Sequence, residues 1–154
     1  MSAEQQLTTL GITLAVPGKP AGVYKPVVQV GNLLYLSGHG PIQADGKGLC
    51  GKVGADLSVE QGKEAARLTG LALLATLRAY LGSLDRVVRI VKTLGLVNSA
   101  PDFIQHPQVI NGCSELLRDV FGEDAGIGAR SAFGAAALPA GWATEIELIV
   151  EVKD

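Results

Sequence analysis

Apolar and polar positions alternate along this chain in a way that marks out its elements. Val27-Val28-Gln29-Val30, then Gly31-Asn32, then Leu33-Leu34-Tyr35-Leu36-Ser37 form two β-rich runs around a Gly-Asn pair. That is the signature of a two-residue hairpin, because glycine supplies the positive φ that the primed turns demand. Residues 38–57 are rich in glycine and read as a loop. Ser58, with Gln61 three residues on, has the spacing of a capping box and opens a run rich in Ala and Leu as far as Leu81, so a long helix is predicted, ending at Gly82. Arg86 to Asn98 is β-branched and apolar and predicts a central strand. After Pro101 a second helix is predicted: Val109, Ile110, Cys113, Leu116, Leu117, Val120 and Phe121 form one apolar stripe at helical period, closed by Gly122. Two more strands, about 129–137 and 144–152, are joined by Leu138-Pro139-Ala140-Gly141, and Thr144-Glu145-Ile146-Glu147-Leu148 begins the second with a period of two. The order ββ-α-β-α-ββ predicts one two-layer α+β domain over residues 1–154, with no repeat or linker dividing it.

Composition adds an expectation about assembly. With 47% hydrophobic and 18% charged residues and a mean hydropathy of +0.30, the chain is apolar for a lone small globule. Part of its surface is therefore expected to be covered in a homo-oligomer. A net charge of −2, a pI of about 5.7 and 5% aromatic residues lack the basic footprint and stacking residues of a nucleic-acid binder, so no nucleic-acid partner is expected. The first residues, Met1-Ser2-Ala3-Glu4, carry no basic stretch, and the longest apolar run, near Leu68–Leu77, is too short to span a bilayer. The expectation is a cytoplasmic protein without membrane contact. Cys50 and Cys113 have no metal-type spacing and read as free thiols.

The clearest candidate chemistry is Arg130, alone in the otherwise uncharged run Arg130-Ser131-Ala132-Phe133-Gly134-Ala135-Ala136-Ala137. Burying an unpaired guanidinium is costly, so the residue needs a partner. That partner is either Glu145 or Glu147 on a neighbouring strand, or the carboxylate of a ligand gripped by two parallel hydrogen bonds. Other motifs carry less. Gly46-Lys47-Gly48-Leu49-Cys50-Gly51-Lys52 matches the GxxxxGK part of a phosphate loop, but Val53 stands where a hydroxyl should meet Mg²⁺ and no helix follows directly, so a surface turn is expected. His39 and His106 have no ligand partners at metal spacing, and no metal site is expected. His39 lies at the end of a hairpin strand, where it could line a site beside Ser37 and Gly38, whereas His106 reads as a loop or helix-start residue. Taken alone, Tyr24 reads as a half-buried loop aromatic rather than a phenol facing a cleft, and Asn111 as a residue that solvates a helix face rather than a ligand contact. No Ser-His-Asp constellation can be assigned.

Taken together, Tyr24, Val30-Gly31-Asn32, Ser37-Gly38, Val91-Lys92, Val109-Ile110-Asn111, Ala129-Arg130-Ser131, Leu138-Pro139 and Glu145-Ile146-Glu147 resemble the pattern of the YjgF/RidA family over about residues 20–152. The resemblance implies a chorismate-mutase-like α+β fold in a homotrimer, its sheets forming a central barrel with ligand clefts between subunits. It also implies hydrolysis of 2-imino or enamine acids to 2-oxo acids and ammonia, without metal or cofactor. By motif position, Arg130 would clamp the substrate carboxylate and Glu145 would orient or activate water. Tyr24, Ser37, Gly38, His39, Asn111 and Ala132 would line the cleft. The chain departs from the deaminase pattern at Ala132, where a cysteine is usual, at Val23 in place of a proline, at His39 where glutamine is common, and in a longer 46–54 segment. These departures mark a divergent subgroup. A non-catalytic trimer that binds a small carboxylate metabolite is the alternative, and the family's endoribonuclease activity is disfavoured by the acidic, aromatic-poor composition.

Overall fold

A computed structural model describes all 154 residues. The hairpin forms as β1 (Val27–Val30) and β2 (Leu33–His39), with Val30 paired to Leu33 across the turn. Gly31 holds a φ of 60° there while Asn32 does not, as expected of a turn with glycine at its first central position. Two helices precede and follow the next strand: α2 (Val59–Leu81) and α3 (His106–Phe121), on either side of β3 (Val87–Asn98). In α2, Ser58 Oγ accepts from the Gln61 amide while the Gln61 side chain accepts from the Ser58 amide, so both halves of the capping box are made. Gly82 ends that helix in the left-handed conformation, φ 81°. A short turn, α4 (Glu123–Gly126), leads into β4 (Ala129–Ala135), and β5 (Thr144–Val152) closes the domain.

The order of the five-stranded sheet is β1-β2-β5-β3-β4. All neighbours are antiparallel except β3 and β4, which run parallel because α3 crosses over between them. This corrects the placement of Glu145 and Glu147 beside Arg130: the strands that follow each other in sequence, β4 and β5, are separated by β3. The alternation within β5 explains its central place. Thr144, Ile146, Leu148, Val150 and Val152 are all buried, and such a strand needs a neighbour on each edge.

Those residues face α2 and α3, which pack together on one side of the sheet around a core of 25 buried side chains. The helices approach closely through glycine: a Cβ on Gly112 would run into the Lys63 backbone carbonyl, and one on Gly70 would lie 2.9 Å from Leu116. The opposite face of the sheet has no helix over it and exposes Val28, Val30, Tyr35 and Phe133. No helix is long and apolar enough to cross a membrane. The glycine-rich loop ends at the Ser58 cap and packs on Trp142, whose indole lies against Gly40 and Gly48.

One element was absent from the sequence reading. Helix α1 (Ala3–Thr9) has its own capping box between Ser2 and Gln5, the spacing that marked α2. Seven residues are marginal alone, and tertiary contacts hold them. Leu7 is buried, and Glu4 pairs with Arg78 at 2.9 Å and accepts the Leu84 amide at 2.9 Å.

Candidate functional site

Arg130 is the second residue of β4, opposite Thr93 of β3, on the helix side of the sheet. It joins none of the chain's four ion pairs. Its Nη1 donates to Asn111 Oδ1 at 2.7 Å and to Ser114 Oγ at 3.2 Å, both on α3. Asn111 and Ser114 lie three residues apart and so share the face of α3 turned to β4. Nε and Nη2 donate to no protein group, which leaves a planar two-donor edge of an anchored guanidinium accessible from solvent. Asn111 is thus a support for the arginine, with its amide nitrogen still free to donate.

A groove of ≈ 340 Å³ runs along this edge. Thr93, Asn111, Ser114, Arg118, Gly128 and Arg130 line it, and Ile127 is its one hydrophobic residue. Ala132, two residues beyond Arg130 on the same face, is half-buried against the core opposite Gly95. The Cys113 thiol of α3, packed toward Gly70 of α2, is fully buried, and burial pushes its pKa up to about 12, with the Arg130 charge opposing.

Glu145 stands elsewhere. It pairs with Leu96 of β3, three positions from Thr93 along an unbroken register, so its side chain leaves the sheet on the face opposite to that of Arg130. There it lies over Gly38: a Cβ on that glycine would be 2.9 Å from Glu145 Cδ. Burial, and then the charge of Glu147, raise the Glu145 carboxyl above the ordinary glutamate value. Gly38 sits in an irregularity of β2, where Leu36 pairs with Leu148 but His39 pairs with Ile146. Ser37 ties this region to the segment before β1, its Oγ donating to the Lys25 carbonyl at 2.6 Å and its amide to the Pro26 carbonyl at 3.0 Å. Tyr24, half exposed, is the residue just before Lys25.

The predicted site residues therefore fall into two groups within one chain. Arg130, Asn111 and Ala132 lie on the helix side at the β4 edge, and Glu145, Gly38, Ser37 and Tyr24 gather around β2 and β5. His39 joins neither. Its Nδ1 lies 2.6 Å from the Ser37 carbonyl and its Nε2 lies 2.8 Å from Thr76 Oγ1 of α2. A carbonyl can only accept, so Nδ1 carries the proton and Nε2 accepts from the threonine. Burial lowers the His39 pKa, with the Ser37 hydrogen bond opposing. His106 is the first residue of α3, its Nε2 3.1 Å from Ser99 Oγ. Ser114, Thr93 and Arg118 were missed in the sequence. Ser114 and Arg118 follow Asn111 at i+3 and i+7, a spacing that would have marked them once Asn111 was taken as a site residue.

Comparison with known proteins bears on the fold and the family. Residues 4–152 match the family described as YjgF/chorismate mutase-like, putative endoribonuclease. Protein TCP17 of Trypanosoma cruzi is 42% identical over 148 residues, covering 96% of this chain and 92% of that protein. The crystal structure of a protein described as a putative endoribonuclease from Shewanella oneidensis superposes with a TM-score of 0.93 at 32% identity, covering 99% of this chain and all of the other, 100%. RidA from an Antarctic Psychrobacter superposes with a TM-score of 0.61 at 28% identity, covering 89% and 94% of the two chains. A five-stranded mixed sheet backed by two long helices, and a sequence match across nearly the whole chain, place this protein in the YjgF/chorismate-mutase-like family.

Proposed function

We propose that this protein hydrolyses 2-imino acids, or their enamine tautomers, to 2-oxo acids and ammonia, at sites built between the subunits of a homotrimer. The observation that carries the reading is the anchored, unpaired Arg130: α3 holds Nη1, and the free Nε–Nη2 edge matches the two oxygens of a carboxylate. An arginine that served stability would have a carboxylate of the protein against that edge. With the substrate carboxylate held there, the adjoining imine carbon is already electrophilic, and what remains is to position water and move protons. Water adds to C2 as its proton passes to a carboxylate and on to nitrogen, and the resulting carbinolamine collapses with loss of ammonia. Glu145, its proton affinity raised, is the group suited to that transfer.

Arg130 and Glu145 leave opposite faces of one sheet, so one chain does not bring them to one substrate. A second copy would complete the site, and the uncovered sheet face with Val28, Val30, Tyr35 and Phe133 offers the apolar surface for it. RNA is a poor substrate for a chain of net charge −2 with 5% aromatic residues.

The test is release of ammonia or 2-oxo acid from freshly generated 2-aminoacrylate. The purified protein is expected to hasten it. Arg130→Ala is expected to abolish the effect while changing unfolding stability by less than about 1 kcal/mol, because the residue is exposed, makes no ion pair and is held only by two exposed hydrogen bonds to α3. No acceleration by the wild type, or full activity in Arg130→Ala, overturns the reading.

A further inference from the structure

The groove beside Arg130 holds several polar groups that no protein group meets, and one of them is a threonine. Thr93 is only 3% exposed, yet its hydroxyl makes no hydrogen bond to the protein. No fully buried side-chain nitrogen or oxygen of the chain lacks a partner, so the Thr93 oxygen opens on the groove, where water meets it. The other buried threonines bond within the protein: Thr69 to Ala65 and Thr144, and Thr76 to His39. Thr93 instead turns its hydroxyl to the groove as the register partner of Arg130.

A second guanidinium borders the same groove. Arg118 follows Ser114 by one turn of α3, about 6 Å along the axis. It binds Asp119 Oδ1 through Nε and Nη2, at 3.0 and 2.8 Å, and its Nη1 bonds nothing. Glu115, the acid that also lines the groove, is held by Lys63 at 3.0 Å. Along the groove, then, stand a free two-donor edge at Arg130, an unpaired hydroxyl at Thr93 and a free donor at Arg118, with Ile127 the one apolar side chain. An alkyl side chain would leave these polar groups desolvated and unmatched, whereas a second carboxylate would meet them.

We infer that the ligand of this site is a dicarboxylate: a 2-imino acid with an acidic side chain, whose first carboxylate takes Arg130 and whose second reaches Thr93 and Arg118. The inference rests on the imine-hydrolase reading and narrows its substrate. Thr93 and Arg118 set specificity through the end of the molecule remote from the reacting carbon.

The experiment compares imines generated in place from D-aspartate and D-glutamate by an amino-acid oxidase with the imine from D-alanine. Calorimetry of 2-oxoglutarate and 2-oxobutyrate gives a readout independent of turnover. The wild type is expected to favour the dicarboxylic imines in kcat/KM, and 2-oxoglutarate in affinity, by about tenfold or more. Thr93→Val and Arg118→Gln are expected to bring both ratios toward one, chiefly through KM, and Thr93→Ser, which keeps the hydroxyl, to retain them. Equal handling of the two classes by the wild type overturns the dicarboxylate inference while leaving imine hydrolysis standing. Tight binding of 2-oxoglutarate without turnover of any imine supports the ligand class and overturns the catalytic reading. Failure to bind either 2-oxo acid overturns both.

Discussion

Glu145 carries the strongest pH prediction at the scale of single residues. Burial and the neighbouring Glu147 raise its pKa above 4.5, so as the proton-accepting group it is disabled by acid earlier than an ordinary glutamate. The kcat/KM profile should therefore show an acid limb with a midpoint above 4.5, and Glu145→Gln should remove that limb together with most of the activity. A limb that persists unchanged in Glu145→Gln belongs to another group. The stability effect has the opposite sense. The folded state binds this proton more tightly than the unfolded chain, so the residue weakens the fold as pH rises from about 4.5 through its folded pKa, and Glu145→Gln should flatten that decline in denaturant midpoints. The isolation of Arg130 in an uncharged run was visible in the chain, but its supports were not. Ser114 is one of several hydroxyls in the sequence, and the Thr93 hydroxyl opens on the groove only because β3 sets that residue against Arg130.

The elements themselves were largely written in period and punctuation. Gly31, Ser58 with Gln61, Gly82 and Gly122 mark ends that the structure places where they predict. Strand adjacency was not legible, because period two states that β5 has unlike faces but not which strands flank it, and only the α3 crossover puts β3 between β4 and β5. Helix α1 was passed over for a related reason: its capping box is plain, but so short a helix forms only with Arg78 and the Leu84 amide to receive Glu4. The glycines within helices show the same limit. Gly112 reads locally as a weakness in α3, yet it is the point at which α3 meets the Lys63 carbonyl of α2. Gly112→Ala should gain about 1 kcal/mol of helix propensity but push the helices apart, for a net loss of about 1–3 kcal/mol. Since Asn111 and Ser114 flank it, the same variant should also bind 2-oxo acids more weakly through Arg130. Unchanged urea midpoints would show that the two helices do not need this contact.

For the whole molecule, the decisive feature is that Arg130 and Glu145 point away from opposite faces of one sheet. If the active site is shared between subunits of the proposed trimer, each lends its arginine to one cleft and its glutamate to another, and two inactive variants can complement each other. Arg130→Ala and Glu145→Gln, co-unfolded in equal amounts and refolded together, would assort at random. A given cleft would then take its arginine from a Glu145→Gln chain half the time and its glutamate from an Arg130→Ala chain half the time, so about a quarter of wild-type activity should return. Each variant refolded alone should stay inactive. Light scattering should give three times the mass of the chain, and Phe133→Glu on the uncovered face should lower both that mass and the activity. A site contained within one chain predicts no recovery at any mixing ratio, because every chain then lacks one of the two groups. Recovery that scales with the product of the two variant fractions, and so is greatest at equal amounts, is the result that only a cleft between subunits can produce.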